Sequence, residues 1–309
     1  MAFSATAAAF EGFRLIRRNP GPVALWAAAY AVITAVSSIL TLLWVGDDAA
    51  ALAAAGTGEA DLQGIMGAAG KIYAIAIPVS LITSGLFTAA VYRAVLRPEE
   101  KGLGYLRFGA DELRLILLFV LLGLIFLLVA FVAVVVIGLV TGFTTVAGGS
   151  GGDSAVGAIA AAFMAGLLGL VLGAVVFAYF GVRLSLTGPL TFVEKRIDIG
   201  AAWRMTRGHF WPMLGAYLIA WLMVLVIIVV GFSIVATISG MLGGQGLGLD
   251  SLTNPDLTLQ NFLTPATIVT TIISSVMTAV QYAVIVGPTA YVYRELKASE
   301  APETAEAFS

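Results

Sequence analysis

Few side chains in this chain can do chemistry, and their spacing limits what that chemistry is. There is one histidine, His209, and no cysteine. His209 stands between Gly208 and Phe210. With no thiolate and no second imidazole, a metal there would be held by carboxylates alone, which zinc sites rarely are. A boundary side chain accounts for His209 better than a ligand or a base does. Asp250, Asn254 and Asp256 offer oxygens to Ca²⁺, but their spacing is not that of an EF-hand and Pro255 interrupts it. Glu194 and Asp198 flank Lys195 and Arg196, where charge pairing explains both carboxylates without general acid–base work. No Gly-rich phosphate loop and no G-x-S-x-G elbow is present. The residues therefore point to no catalytic set, no metal and no cofactor.

Three other patterns have a physical use in lipid. Arg14, Arg17 and Arg18, and again Arg204 and Arg207, lie three or four residues apart beside aromatics. Such clusters bind phosphate headgroups at about 1 kcal/mol per basic residue near an anionic surface, or simply anchor the chain together with Trp203 and Trp211. Thr267, Thr271, Ser274, Thr278 and Gln281 follow a 4-3-4-3 spacing that puts them on one helical face, and Ser80, Ser84 and Thr88 share a face in an earlier segment. These polar groups read as a hydrated path between two helices. Interhelical hydrogen bonds of roughly 0.6 kcal/mol each, some returned to their own helix, account for them more simply. Gly157, Ala161, Ala165, Gly169 and Gly173 recur every four residues. That small-residue ridge allows close backbone approach and is expected to make the tightest helix contact.

Such residues need a scaffold, and composition says which kind. Sixty per cent of the chain is hydrophobic, 11% is charged, and the mean hydropathy is +1.01, which excludes an ordinary soluble domain. Apolar runs exceed the roughly 20 residues needed to cross a bilayer as a helix, and they lack the alternation of barrel strands. The fold class is all-α, a polytopic membrane protein. Six spans are expected, at Pro22–Val45, Ile72–Tyr92, Leu115–Thr141, Val156–Val182, Pro212–Ser239 and Ala266–Tyr293, with every charged residue outside them.

The basic residues orient the spans. Fifteen of the sixteen Lys and Arg fall on the side of both termini, and only Lys71 lies opposite, with seven acids. Basic loops stay cytoplasmic, so both termini are expected inside. The Ala-rich start precedes the basic residues and the apolar run, the wrong order for a cleaved signal. Twelve arginines against four lysines, with abundant Ala, Gly and Val, suit a GC-rich bacterial genome.

The chain also repeats itself. Arg14-x-x-Arg17-x4-Pro22 returns as Arg204-x-x-Arg207-x4-Pro212, and Arg107 opens a third, looser unit. The ends match as well, with Tyr92-Arg93 and Tyr293-Arg294, and less closely at Arg183. Three hairpin units are expected within one membrane domain (1–297), at about 1–98, 99–190 and 191–297. Each would open on an interfacial amphipathic helix: one through Phe3, Phe10 and Phe13, one through Leu103, Leu106, Ala110 and Leu113, one through Ile199 and Trp203. The acidic tail, 298–309, is expected to be disordered.

Pro189, Glu194 and the run WRMTRGHFW resemble the central motif of a poorly characterised six-helix bacterial membrane protein family. That family is related to the membrane domain sometimes fused to glycerophosphoryl diester phosphodiesterases. RLIRRNPGP and YVYREL are similar to its ends. The family usually places Ser before the Trp-Arg pair, where this chain has Ala202. The resemblance implies the fold and no activity.

Together these features point to a non-enzymatic protein of the bacterial inner membrane. It would be a scaffold or assembly factor in contact with lipids, anionic ones included, and with copies of itself or other membrane proteins. Nucleic acid is not among the expected partners. The alternative is an uncoupled channel or carrier for a polar or lipidic molecule along the hydroxyl-lined face. No carboxylate lies in a span to couple transport to an ion gradient.

Overall fold

In hydrocarbon every backbone N–H and C=O must find its partner within the chain, so long apolar segments become helices. A computed structural model describes residues 3–45, 62–147, 155–241 and 264–306. The structure is 90% helical, with no strand among the described residues. Two short helices, α1 (Ala5–Ala9) and α2 (Glu11–Arg18), lead into α3 (Pro20–Val45). Then come α4 (Leu62–Leu96), α5 (Ala110–Ala147) and α6 (Ala155–Leu184). The short α7 (Thr187–Glu194) and α8 (Ile199–Met205) precede α9 (Phe210–Met241) and α10 (Pro265–Glu306). Six of these helices are long and apolar enough to cross a membrane. The shortest, α3, has 26 residues and reaches about 39 Å, against roughly 30 Å of hydrocarbon.

Local chemistry sets the helix starts. Ser4 caps α1 by accepting from the Ala7 N–H, and Asp198 caps α8 by accepting from Ala201 N–H at 2.7 Å. Pro20 and Pro265 open α3 and α10, where a missing N–H costs nothing. Asp111 and Glu112 occupy the first turn of α5, the end of a helix that favours negative charge.

The helix α10 is the hub. It packs along α9 and α3, and also against α2 and α4. Small buried residues let its neighbours in: Ser275, Ala279, Ala283 and Gly287 follow every four residues on it. The backbone of α2 crosses there. A side chain at Gly12 would collide with the Ala283 and Val284 backbone, and one at Gly287 would lie 2.8 Å from the Gly12 nitrogen. One core gathers Trp26, Phe87, Tyr92, Leu115, Leu118 and Phe192, and a second gathers Leu186, Leu190, Met213 and Tyr293. Most of these residues lie toward the end of the bundle that carries the arginines, called the basic end below.

Away from that end the bundle loosens. The middle of α5 has no buried residue, and α6 comes close to α5 at Gly169, whose missing Cβ would fall 2.6 Å from Cδ1 of Ile137. Phe126 and Phe177 meet between the same two helices with ring centres 4.7 Å apart and planes tilted by 42°. Leu127, Phe131, Phe163 and Leu170 are exposed apolar side chains.

Several expectations change against this structure. Five of the six long helices run past both ends of the span expected for them, because a helix continues after the apolar run ends, while α3 starts two residues early and is described to the expected Val45. The expected helix through Leu103 and Leu113 is absent. The chain makes a 3-10 turn at Gly102–Tyr105, with left-handed backbone at Leu103, Gly104 and Tyr105, and α5 starts only at Ala110. That turn is held from outside: the Trp26 indole N–H donates to the Gly104 carbonyl at 2.6 Å. The tail expected to be disordered is helical through Glu306, where Ala and Glu favour helix. The small-residue ridge of α6 is used at Gly169 alone among its described side chains, since nothing lies within 4 Å of a Cβ at Gly173. The side chains of Gly157, Ala161 and Ala165 lie outside the described ones, as do Asp250, Asn254 and Asp256. Among the described residues the closest backbone approach involving a glycine is α2 on α10.

Candidate functional site at the basic end

Three arginines close the even-numbered spans, and the structure gives them three different settings. Arg93, at the end of α4, is 2% exposed. Its Nη2 donates to Glu112, its Nη1 donates to the Tyr105 carbonyl at 3.1 Å, and Glu100 lies 3.9 Å from Nε. Glu112, fully buried, also accepts from the Gly109 N–H at 2.9 Å. Arg97 and Arg114 beside it pair with Glu100 and Asp111. This corner is electrostatically closed. Its centre is a buried ion pair in which Arg93 Nε alone makes no hydrogen bond, with the Glu100 carboxylate 3.9 Å away.

Arg294, on α10, is partly exposed and pairs with Glu295 at 3.5 Å. It also lies over the Tyr291 ring at 5.2 Å, a ring it shares with Arg14 at 5.9 Å. Arg14 is otherwise committed: it donates to Glu11 at 3.0 Å and to the Ala7 carbonyl at 2.9 Å.

Arg183, at the end of α6, has no acidic partner among the described residues. Its guanidinium sits among Tyr179, Trp203 and Phe210, 5.5 to 5.9 Å from their ring centres. Its one hydrogen bond runs from Nη1 to the Thr206 hydroxyl at 3.3 Å, and its buried Nε has no partner. The arrangement depends on α8 folding back beside the end of α6, which its Asp198 cap and the ring contacts of Trp203 with Tyr179 and Phe180 fix.

Of the arginines singled out by spacing, Arg17, Arg18, Arg204 and Arg207 are exposed and make no ion pair among the described residues. Arg14 does not share their freedom. His209 is half-buried, with Nδ1 3.2 Å from the Arg207 carbonyl and its ring 6.2 Å from Phe3. No group of His, Asp and Glu among the described residues could hold a metal ion. Spacing did not reveal Arg183 or Glu112. The absence of acid within reach of Arg183 along the chain was visible, but that α8 brings aromatics to it was not.

The hydroxyl face divides. Ser80 donates back to the Ile77 carbonyl at 2.8 Å and Thr278 to the Ser274 carbonyl at 2.9 Å. Ser275 does the same toward Thr271, and Thr267 meets Thr264. Between α4 and α10 the hydroxyl contacts are Ser84 with Tyr282 at 3.2 Å and Tyr92 with Thr289 at 3.4 Å. Thr88 is buried, while Thr271, Ser274 and Gln281 are half-buried. The stripe thus serves its own helices more than it joins them. Further toward the basic end, Ser185 meets the Tyr217 hydroxyl at 2.8 Å, and the buried hydroxyls of Thr187 and Thr191 on α7 have no partner.

No family model, curated protein or solved structure matches this chain.

Proposed function

We propose that this is a non-catalytic protein of the bacterial inner membrane, with both termini cytoplasmic, that acts as a scaffold or assembly factor through helix packing and lipid contact. The observation that carries the reading is the imbalance at the basic end. Arg17, Arg18, Arg204 and Arg207 are exposed without ion pairs, while the acids nearby are already engaged by Arg14, Arg93, Arg97, Arg114 and Arg196. Anionic headgroups complement such a surface. The three-unit organisation fits the same reading, since each unit would bring its own basic segment to the boundary. The uncovered faces of α5 and α6 suit lipid, a second copy or another membrane protein.

Native mass spectrometry from mixed lipid nanodiscs tests this. Wild-type protein should retain anionic over zwitterionic lipid, and replacing Arg17, Arg18, Arg204 and Arg207 together by Gln should abolish the preference. Equal retention of both lipids by the wild type would refute it. Orientation is tested separately: a periplasm-dependent reporter fused at Ser309 should be silent and one near Gly246 active.

The uncoupled carrier remains a second reading because Thr271, Ser274 and Gln281 are half-buried on one face without a side-chain bond to another helix. Flux in liposomes would then be indifferent to proton and sodium gradients. Uphill accumulation driven by either gradient would refute it.

A further inference from the structure

We infer that Arg183 is the centre of a phosphate-binding site, taking the headgroup phosphate of an anionic lipid at the basic end. The inference rests on the lipid-contact reading above and adds a defined site to it.

Arg183 is half-buried, with its Nε fully enclosed. Taking a guanidinium out of water is costly unless an anion and hydrogen bonds replace the water. Arg93 meets that requirement inside the protein through Glu112, the Tyr105 carbonyl and Glu100. Arg183 occupies the matching place at the end of the next even span; Nε of both arginines is buried without a hydrogen bond, but Arg93 has two carboxylates beside it and Arg183 has none among the described residues. The chain shows where the difference arises. Five residues after Arg107 stands Glu112, and five after Arg204 stands His209. The carboxylate that closes the first corner has no counterpart in the second. The nearby carboxylates are taken: Glu194 by Arg196 and Lys297, and Asp198 by the Ala201 N–H and Arg196.

The donors that remain have a particular shape. Thr206 uses Nη1. Nη2 has no hydrogen-bond partner and, unlike the enclosed Nε, is open to an anion; a guanidinium donates such N–H groups to phosphate or carboxylate oxygens. Tyr179, Trp203 and Phe210 crowd the guanidinium at 5.5 to 5.9 Å. They offset part of the charge by cation–π attraction and hold the group in place, but they supply no anion.

Two features favour phosphate from a lipid. Arg204 and Arg207 lie on the same α8–α9 segment, exposed and without ion pairs, so a diester phosphate there meets further positive charge. Trp211, 77% exposed, and Trp203 mark the boundary level where headgroups lie.

The experiment compares binding of phosphatidylglycerol, phosphatidylcholine and inorganic phosphate to the full-length protein in neutral detergent, read by native mass spectrometry and by the rise in melting temperature. Wild-type protein should retain one phosphatidylglycerol more tightly than the rest. Arg183→Gln should weaken that site by roughly ten- to a hundredfold, the range expected for a hydrogen bond to a charged group. Lys101→Gln, which removes an exposed charge outside the site, should leave it unchanged. Stabilisation by inorganic phosphate, lost in Arg183→Gln, would assign the same site to free phosphate. If Arg183→Gln does not fold, Arg183→Lys and Thr206→Val serve instead. Lysine keeps the charge and loses the fork, so it should bind several-fold more weakly, and Thr206→Val should do likewise by freeing the guanidinium.

Undiminished phosphatidylglycerol binding in Arg183→Gln, or in both substitute variants, overturns the site. If the preference for anionic lipid survives there but disappears when Arg17, Arg18, Arg204 and Arg207 are replaced, the general lipid reading stands without it. No preference in the wild type removes both.

Discussion

Replacing Glu112 tests the closed corner most directly. Its side chain and that of Arg93 are 0% and 3% exposed, so neither can turn to water when its partner is removed. Breaking a buried pair by removing one member costs about 3–5 kcal/mol. Here Glu100, 3.9 Å from Nε and about a third exposed, recovers only a fraction, because solvent screens it. Glu112→Gln, which keeps an acceptor, should therefore fall near 3 kcal/mol, and Glu112→Leu, which also orphans the Gly109 N–H, nearer 5 kcal/mol. Arg93→Met orphans the Tyr105 carbonyl and should cost a similar amount. The double variant removes both charges, so it should be less destabilised than the sum of its singles by about 2 kcal/mol or more, within the range of directly coupled residues. Reversible unfolding by SDS titration, followed by circular dichroism, gives all four values. Additivity within about 0.5 kcal/mol, or a Glu112→Gln cost below about 1 kcal/mol, would show that the pair is not the buried, isolated couple described.

Thr187→Val and Thr191→Val should each raise stability by about 1 kcal/mol, because each removes a buried hydroxyl that has no partner; a loss in the same titration would show that water fills the space beside them. Gly12→Ala and Gly287→Ala should lower the melting temperature sharply, since each new methyl meets backbone, and an unshifted transition for either would refute the close crossing of α2 on α10. Gly169→Leu should cost about 1–3 kcal/mol by overpacking against Ile137. Gly173→Ala, with open space around it, should be neutral or gain up to about 1 kcal/mol in helix propensity; equal losses at both glycines would show that the α5–α6 contact is misplaced.

What sequence could reveal here followed from solvent chemistry. Apolar length marks a span because lipid excludes unpaired backbone, and the one-sided arginines mark an end because charge avoids hydrocarbon. Both signals were strong, and six membrane-length helices are found. Which face of a span packs was another matter. In water a buried face stands out by being apolar, but in lipid Leu127 facing outward and Leu118 facing inward are chemically alike. Small residues are the remaining clue, and two rows competed. The row on α6 was conspicuous, while that of Ser275, Ala279, Ala283 and Gly287 was hidden beside the hydroxyl stripe of the same helix. Gly104 illustrates a different limit. Leucines at helical spacing around it suggested a helix, yet glycine allows a left-handed turn, and Trp26, 78 positions away, holds that turn. Arg183 was legible as a charge and illegible as a site, because its setting depends on how α8 returns to α6.

The central place of α10 also bears on how the protein is made. Its helix is the last of the six long ones to leave the ribosome, yet α2, α3, α4 and α9 all close upon it. Until its residues enter the bilayer, the groove that receives Gly12 does not exist, and earlier helices must wait with lipid standing in for their missing neighbour. Translation of this chain is therefore a long period of partial assembly followed by one closing event. A nascent chain arrested before Pro265 would leave uncovered the faces of α2, α3, α4 and α9 that pack on α10.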